Sequence, residues 1–163
     1  MNARGEPEAP RVVMCVDMDA FYASVELRRH PEWRDVPMWV GGAARGVVLS
    51  ANYPARAYGV RGGMSSAQAR RLCPHAVCAP PDFDAYSEVS AGIVAILETF
   101  TARVECASID EAYLDLTGAG RTVGPPALVG ERLRAIVHDE QGIACSVGIG
   151  PNRLVAKMAT NSA

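Results

Sequence analysis

Ser108-Ile109-Asp110-Glu111-Ala112-Tyr113-Leu114-Asp115 sets two adjacent carboxylates between short runs, Arg103 to Ala107 and Ala112 to Leu116, that read as the arms of a β-hairpin. Neighbouring carboxylates repel, and a cation between them turns the repulsion into attraction. The expected tenant is Mg²⁺, a hard ion that takes oxygen ligands and shares its shell with phosphates. Working outward, Val12-Val13-Met14-Cys15-Val16 is a continuous apolar run, read as a central strand with both faces covered and ended by Asp17. The cluster Val16-Asp17-Met18-Asp19 therefore offers a third carboxylate at a neighbouring strand end. Two plainer readings stand beside this one: Asp110 and Glu111 in a hairpin turn, and Asp17 and Asp19 capping the helix that follows. Spacing alone does not decide between Asp17 and Asp19 as ligand.

Around these clusters the chain alternates strand and helix patterns. Met1 to Arg11 reads as a disordered lead-in, and Ala20 to Arg29 as a helix stopped by His30-Pro31. Met38 to Val40 and Val47 to Ser50 are short strands joined as a simple hairpin; the glycine-rich link between them lacks a Walker pattern. Helical segments follow at Pro54 to Tyr58 and at Ser65 to Leu72, the second opened by a Ser cap. Ala76 to Ala79 reads as a strand. A long helix then runs from Asp82 to about Phe100, with Val89, Ile93, Ile96, Leu97 and Phe100 on one face. Gly118 to Pro126 reads as a loop, Leu128 to Glu140 as a helix with Leu128, Val129, Leu133, Ile136 and Val137 at helical spacing, and Ala144 to Ile149 as a buried strand. A final helix has Pro151 in its first turn and no stop signal before Ala163. This order fits an α+β fold with a split β-α-β, ferredoxin-like core and a small α/β lobe inserted after the first strand.

Composition bounds the class. Apolar residues at 49% and charged residues at 21% describe an ordinary globular chain, and no apolar run approaches the roughly 20 residues of a membrane span. No signal-peptide pattern opens the chain, so a cytoplasmic location is expected. The five cysteines show no paired spacing and read as reduced core thiols; the three scattered histidines argue against zinc. A net charge of −2 is a poor start for holding a polyanion, yet the charge is uneven. Ala20 to Ala85 carries eight basic against five acidic residues, and the remainder eight against thirteen.

Three segments, Val16 to Glu26, Ala51-Asn52-Tyr53-Pro54-Ala55-Arg56 and Ser108 to Asp115, resemble the signature segments of the Y-family (translesion) DNA polymerases, in the bacterial polymerase IV, or DinB-like, branch. The resemblance runs from about Val12 to the last residue. It implies a catalytic palm over 12–19 and 86–163 and fingers over 20–85, with the thumb and little-finger domains of a complete polymerase absent from this chain. It also implies error-prone, template-directed addition of deoxynucleotides to a primer 3′ end, in DNA repair and damage tolerance.

On that resemblance Asp17, Asp110 and Glu111 are the catalytic carboxylates. With the backbone carbonyl of Met18 they bind two Mg²⁺ ions, for which Mn²⁺ can substitute, and such ions sit about 3.5 to 4 Å apart. Asp19 is then left as the cap of the helix at Ala20. Tyr22 lies under the sugar of the incoming nucleotide and excludes a 2′-hydroxyl, while one of the pair Phe21 and Tyr22 belongs to the core. Tyr53, Arg56 and Lys157, the sole lysine of the chain, bind the triphosphate, and Ser50 lines the same pocket. Arg61 to Ser66 is a small, flexible segment expected to touch the nascent base pair. The implied partners are primer-template DNA, deoxynucleoside triphosphates and a sliding clamp engaged through the missing C-terminal part, the fragment itself being a monomer whose isolated activity is not assured. Two rival classes remain at this stage. A nucleotidyl cyclase would share the palm and metals but lack the Asn52 to Arg56 motif, and a polymerase-derived binding module would have lost its carboxylates.

Overall fold

The computed structural model describes residues 9–161, so residues 1–8 of the expected lead-in, and the last two residues, lie outside it. In chain order the elements are β1 Val13–Met18, α1 Phe21–Arg29, a 3₁₀ turn Pro31–Trp33, β2 Met38–Gly41, β3 Val48–Ala51, α2 Tyr53–Ala57, α3 Ser66–Leu72, β4 Val77–Ala79 and α4 Phe83–Glu98. They continue with β5 Val104–Cys106, β6 Glu111–Asp115, α5 Gly120–Val123, α6 Pro126–Gln141, β7 Cys145–Gly150 and α7 Arg153–Thr160. Two compact units result: one takes in the described residues through Met18 and those from Ser90 on, the other Asp19–Val89.

The sheet of the first unit has the order β5-β6-β1-β7, every pair antiparallel. With α4 between β1 and β5 in the chain and α6 between β6 and β7, this is the split β-α-β arrangement of a ferredoxin-like core. β1 lies inside the sheet, so its apolar run is buried on both faces. Val13 and Cys15 pack on Ala156 of α7 together with Tyr113, while Met14 points the other way, toward Gly130 of α6. α7 comes down on β7 where that strand has no side chains: a Cβ on Gly148 would stand 2.0 Å from the Ala156 carbonyl oxygen, and one on Gly150 2.7 Å from Val155 Cγ1.

Several sequence expectations shift here, each for a local reason. β1 does not end at Asp17 but runs through Met18, because Asp17 still pairs with Glu111 and Ser146 and Met18 with Cys145. α6 begins at Pro126, tolerated in a first turn; Leu128 lies off the face of Val129, Leu133 and Val137, so it is 53% exposed while those three are buried. The stretch expected as a loop from Gly118 to Pro126 contains the short α5. Pro151 lies before α7 rather than inside it. Asn152 caps that helix, its Oδ1 accepting from Val155 N at 2.9 Å. Cys15, Cys73 and Cys145 are buried and in no disulfide, whereas Cys106 is exposed on the edge strand β5.

The second unit is built on a mixed sheet of order β3-β2-β4, with β2 antiparallel to β3 and parallel to β4. Its core joins Trp39, Val48, Ala51, Ala55, Val60, Ala69 and Cys73. Asn52, only 3% exposed, is the polar keystone. Its Oδ1 accepts from Met38 N and from Ala55 N, both at 3.0 Å, and its Nδ2 donates to Val36 O at 2.8 Å. One side chain thus caps α2 and fixes the entry to β2. The segment Arg61 to Ser66, expected to be flexible, is tied down: Gly63 N donates to Val48 O at 2.8 Å, Met64 O accepts from Val48 N at 2.9 Å, and Ser65 bridges to Val47.

In the same unit Phe21 is the core member of the pair Phe21 and Tyr22, 2% exposed, and Glu26 is also buried. Tyr86 Oη donates to Glu26 Oε1 at 2.7 Å, and Arg29 bridges Glu26 to Asp82, so α1 and the start of α4 share one hydrogen-bonded network. Burial, aided by the neighbouring Glu26 carboxylate, pushes the Tyr86 phenol well above its ordinary value. Among the described residues no helix is long and apolar enough to cross a membrane.

Candidate active site

The strands of the first unit place the acidic residues. Asp17, one residue from the end of β1, is the cross-strand partner of Glu111, the first residue of β6. On an antiparallel rung such a pair has neighbouring Cβ atoms, and like charges set opposite each other are destabilising without a counter-ion. Lys157 of α7 supplies it, its Nζ donating to Asp17 Oδ2 and to Glu111 Oε2. The second oxygen of Glu111, Oε1, accepts from Tyr113 Oη at 2.7 Å. Burial is the largest single influence on Glu111 and acts against its charge. The Lys157 and Tyr113 hydrogen bonds and the ammonium charge outweigh it and hold the carboxyl below the usual range. For Lys157, burial again works against the charge, and Asp17 and Glu111 prevail, raising the ammonium well above the ordinary lysine value.

Asp110 stands apart from this pair. Its Oδ1 accepts from Ser108 Oγ at 2.6 Å in the turn between β5 and β6, while its backbone carbonyl accepts from Met18 N at 2.9 Å. β1 and the acidic turn are therefore stitched together at Met18. Among the described residues no three His, Cys, Asp or Glu side chains come together as a ready metal cage. The structure brings together Asp17 and Glu111 and leaves the Asp110 carboxylate on Ser108. As a donor set these groups still suit a hard divalent cation: two carboxylates already share one positive charge, and a third is next in sequence.

The remaining candidates lie in the second unit. Tyr22, half-buried on α1, meets Tyr86 edge-on at a centroid distance of 4.9 Å and Phe83 at 6.2 Å. Ser50 sits on β3 opposite Val40 and is 7% exposed, so its hydroxyl is largely withdrawn. Tyr53 opens α2 at 71% exposure with the Arg56 guanidinium 5.3 Å over its ring, and Arg56 Nε donates to Ala51 O at 2.9 Å. Together they present a cation on an aromatic platform at the head of a helix. The N-cap position of α1 is taken by Ala20, with a positive φ of 46°, and not by Asp19.

Tyr113 was not singled out by sequence reasoning, although a signal existed. It stands two residues after Glu111, and the two-residue period of a strand puts both on one face. Glu26 and Tyr86, 60 residues apart in the chain, carry no comparable signal.

This geometry coincides with sequence kinship. The model of the impB/mucB/samB family matches residues 16–161. The chain belongs to the impB/mucB/samB family. This is the Y family that the three segments resembled, and both the α+β fold and the motif order agree with it. Among relatives of this impB/mucB/samB chain, "DNA polymerase IV 3" of Mesorhizobium japonicum is 47% identical, over 93% of this chain and 42% of its own length. "DNA polymerase IV" of Cronobacter sakazakii is 44% identical over 93% of this chain and 44% of its own. Among solved structures, the "insertion ternary complex of Dbh DNA polymerase" superposes with a TM-score of 0.86 at 31% identity, over 93% of this chain and 46% of that one. The impB/mucB/samB chain thus spans less than half the length of the curated relatives it matches. Polymerases of this family are metal-dependent.

Proposed function

We propose that this chain is the catalytic palm-and-fingers part of an error-prone translesion DNA polymerase of the polymerase IV type, adding deoxynucleotides to a primer 3′ end opposite a template in DNA repair and damage tolerance. The observation that carries the reading is the Asp17–Glu111 rung: two carboxylates held opposite one another at the end of a central strand and sharing one cation. The names of the relatives and the ternary complex support DNA and nucleotides as partners. The intact Asn52 to Arg56 motif disfavours a nucleotidyl cyclase, and the retained carboxylates disfavour a non-catalytic module.

In this reading Asp17, Asp110, Glu111 and the Met18 carbonyl hold two Mg²⁺ ions, or Mn²⁺ in their place, which supply charge stabilisation at the attacking and leaving oxygens. Tyr53 and Arg56 bind phosphate oxygens, Arg56 through its planar fork and Lys157 as a point charge. Ser50 contributes at the edge of that pocket. Tyr22 excludes the ribose 2′-hydroxyl, so Tyr22→Ala is expected to admit ribonucleotides. The palm is proposed as 12–19 with 86–163 and the fingers as 20–85. A sliding clamp, a monomeric state and a cytoplasmic location complete the proposal, on the family resemblance. The test is primer extension by this chain with and without Mg²⁺, beside Asp17→Asn. Divalent-dependent incorporation lost in the variant is expected. Incorporation that survives either chelation or Asp17→Asn overturns the proposal.

A further inference from the structure

Glu111 is held at both oxygens, and the two holds differ in kind. Lys157 grips Oε2 from the end of a flexible four-carbon arm, whereas Tyr113 Oη donates to Oε1 at 2.7 Å from a ring that is itself pinned. The ring packs with Val13, Cys15 and Ala156, so the strand below and α7 above both bear on it. Arg153 lays its guanidinium 5.1 Å over the ring and pairs with Glu105, the cross-strand partner of Tyr113 on β5. Cys15 on the neighbouring strand is the cross-strand partner of Tyr113. A phenylalanine would fill this packing space equally well. What the hydroxyl adds is one hydrogen bond to a carboxylate that the preceding reading assigns to metal binding.

We propose that Tyr113 is a positioning residue that fixes the Glu111 carboxylate so that its Oε2 faces the cation; the proposal rests on the reading of Asp17 and Glu111 as metal ligands. A carboxylate ligand is aimed by the hydrogen bond at its other oxygen, and loss of such a partner typically lowers metal affinity about 10- to 100-fold. Tyr113 acts through Glu111 and touches neither metal nor substrate. Arg153 acts one step further out, by holding the ring rather than the hydroxyl.

The test titrates Mn²⁺ alone into the 163-residue chain, followed by electron paramagnetic resonance of free and bound ion. Wild type is compared with Tyr113→Phe, Arg153→Ala and Asp17→Asn, and thermal unfolding of each is measured without metal. Mn²⁺ affinity at least tenfold weaker in Tyr113→Phe, with a near-wild-type unfolding temperature and a smaller change in Arg153→Ala, is expected. Binding abolished by Asp17→Asn but unchanged in Tyr113→Phe overturns the positioning role alone. Equal losses in Tyr113→Phe and Arg153→Ala assign the effect to ring packing and overturn it too. A wild-type chain that binds no Mn²⁺ removes the metal reading and this inference together. Should Tyr113→Phe prove unfolded, the hydroxyl is structural and the proposal fails.

Discussion

Lys157 and Asp17, 140 residues apart in the chain, form a direct ion pair, and the same ammonium holds Glu111 on the adjacent strand. The residue proposed to hold the triphosphate is thus also the counter-ion of the carboxylates proposed to hold metal. On that proposal a divalent cation competes with Lys157 for the same two oxygens.

Competition gives the first prediction an unusual sign. Lys157→Met removes a cation next to two carboxylates, so in the absence of metal the variant is destabilised by their mutual repulsion. Its Mn²⁺ affinity is expected to rise by about tenfold, since no ammonium has to be displaced, while deoxynucleotide affinity falls. Isothermal titration of Mn²⁺ and of nucleotide into both chains checks the two directions separately; weaker Mn²⁺ binding in the variant would contradict the competition.

Gly148 supports this arrangement from below. An alanine there places its Cβ against the Ala156 carbonyl oxygen and the Thr160 amide, both helix backbone, so α7 must lift. The expected cost of Gly148→Ala is about 3 kcal/mol, at the upper end of ordinary overpacking. Chemical denaturation measures it, and an unshifted midpoint would show that the helix is not seated as described.

Asn52 makes the equivalent prediction for the second unit. Asn52→Ala removes a helix cap and strands the buried Met38 amide and Val36 carbonyl, which costs about 3 kcal/mol in sum. Asn52→Asp keeps the acceptor and loses the donor, so it should fall between the two. A midpoint for Asn52→Asp equal to that of wild type would refute the Nδ2 contribution.

Acid stability follows from two aspartates outside the proposed metal site. Asp82 is held below the usual carboxylate range chiefly by the Ala85 amide at 3.1 Å, helped by Arg29, and Asp115 chiefly by hydrogen bonds from Thr117. Both folded values lie below the unfolded value of about 3.9. Their stabilisation is therefore complete above about pH 4 and is lost as pH falls through the lowered folded values. Urea midpoints between pH 7 and pH 3 should drop less steeply in an Asp82→Asn, Asp115→Asn double variant than in wild type. Parallel curves would rule the two groups out.

Much of the fold was legible because burial leaves a pattern. Val13 to Val16 is apolar at every position and both its faces are covered; Val89, Ile93, Ile96, Leu97 and Phe100 recur at helical spacing and all are buried. Ends were harder to read. Asp17 looks like a strand terminus by residue type, yet its neighbours on both sides keep the ladder going to Met18. Asp19 looks like a cap, but a left-handed Ala20 intervenes. Leu128 was counted in the apolar stripe, yet at 100° per residue it falls off the arc of Val129, Leu133 and Val137 and faces outward. At the site, the family resemblance singled out Asp17, Asp110 and Glu111, while spacing left Asp17 and Asp19 undecided; neither showed that the Asp110 carboxylate would bond Ser108 instead of joining the other two, since that choice is made by a side-chain torsion. Long-range pairs such as Tyr86 with Glu26 leave no local trace at all.

The bare stretch of β7 under α7 has one further effect. A helix resting on backbone has no compressible cushion beneath it, so Lys157 can exchange partners by turning its own methylene arm while the helix stays put. On the proposed role of Lys157, passing the ammonium from carboxylates to a phosphate would then require no shift of α7.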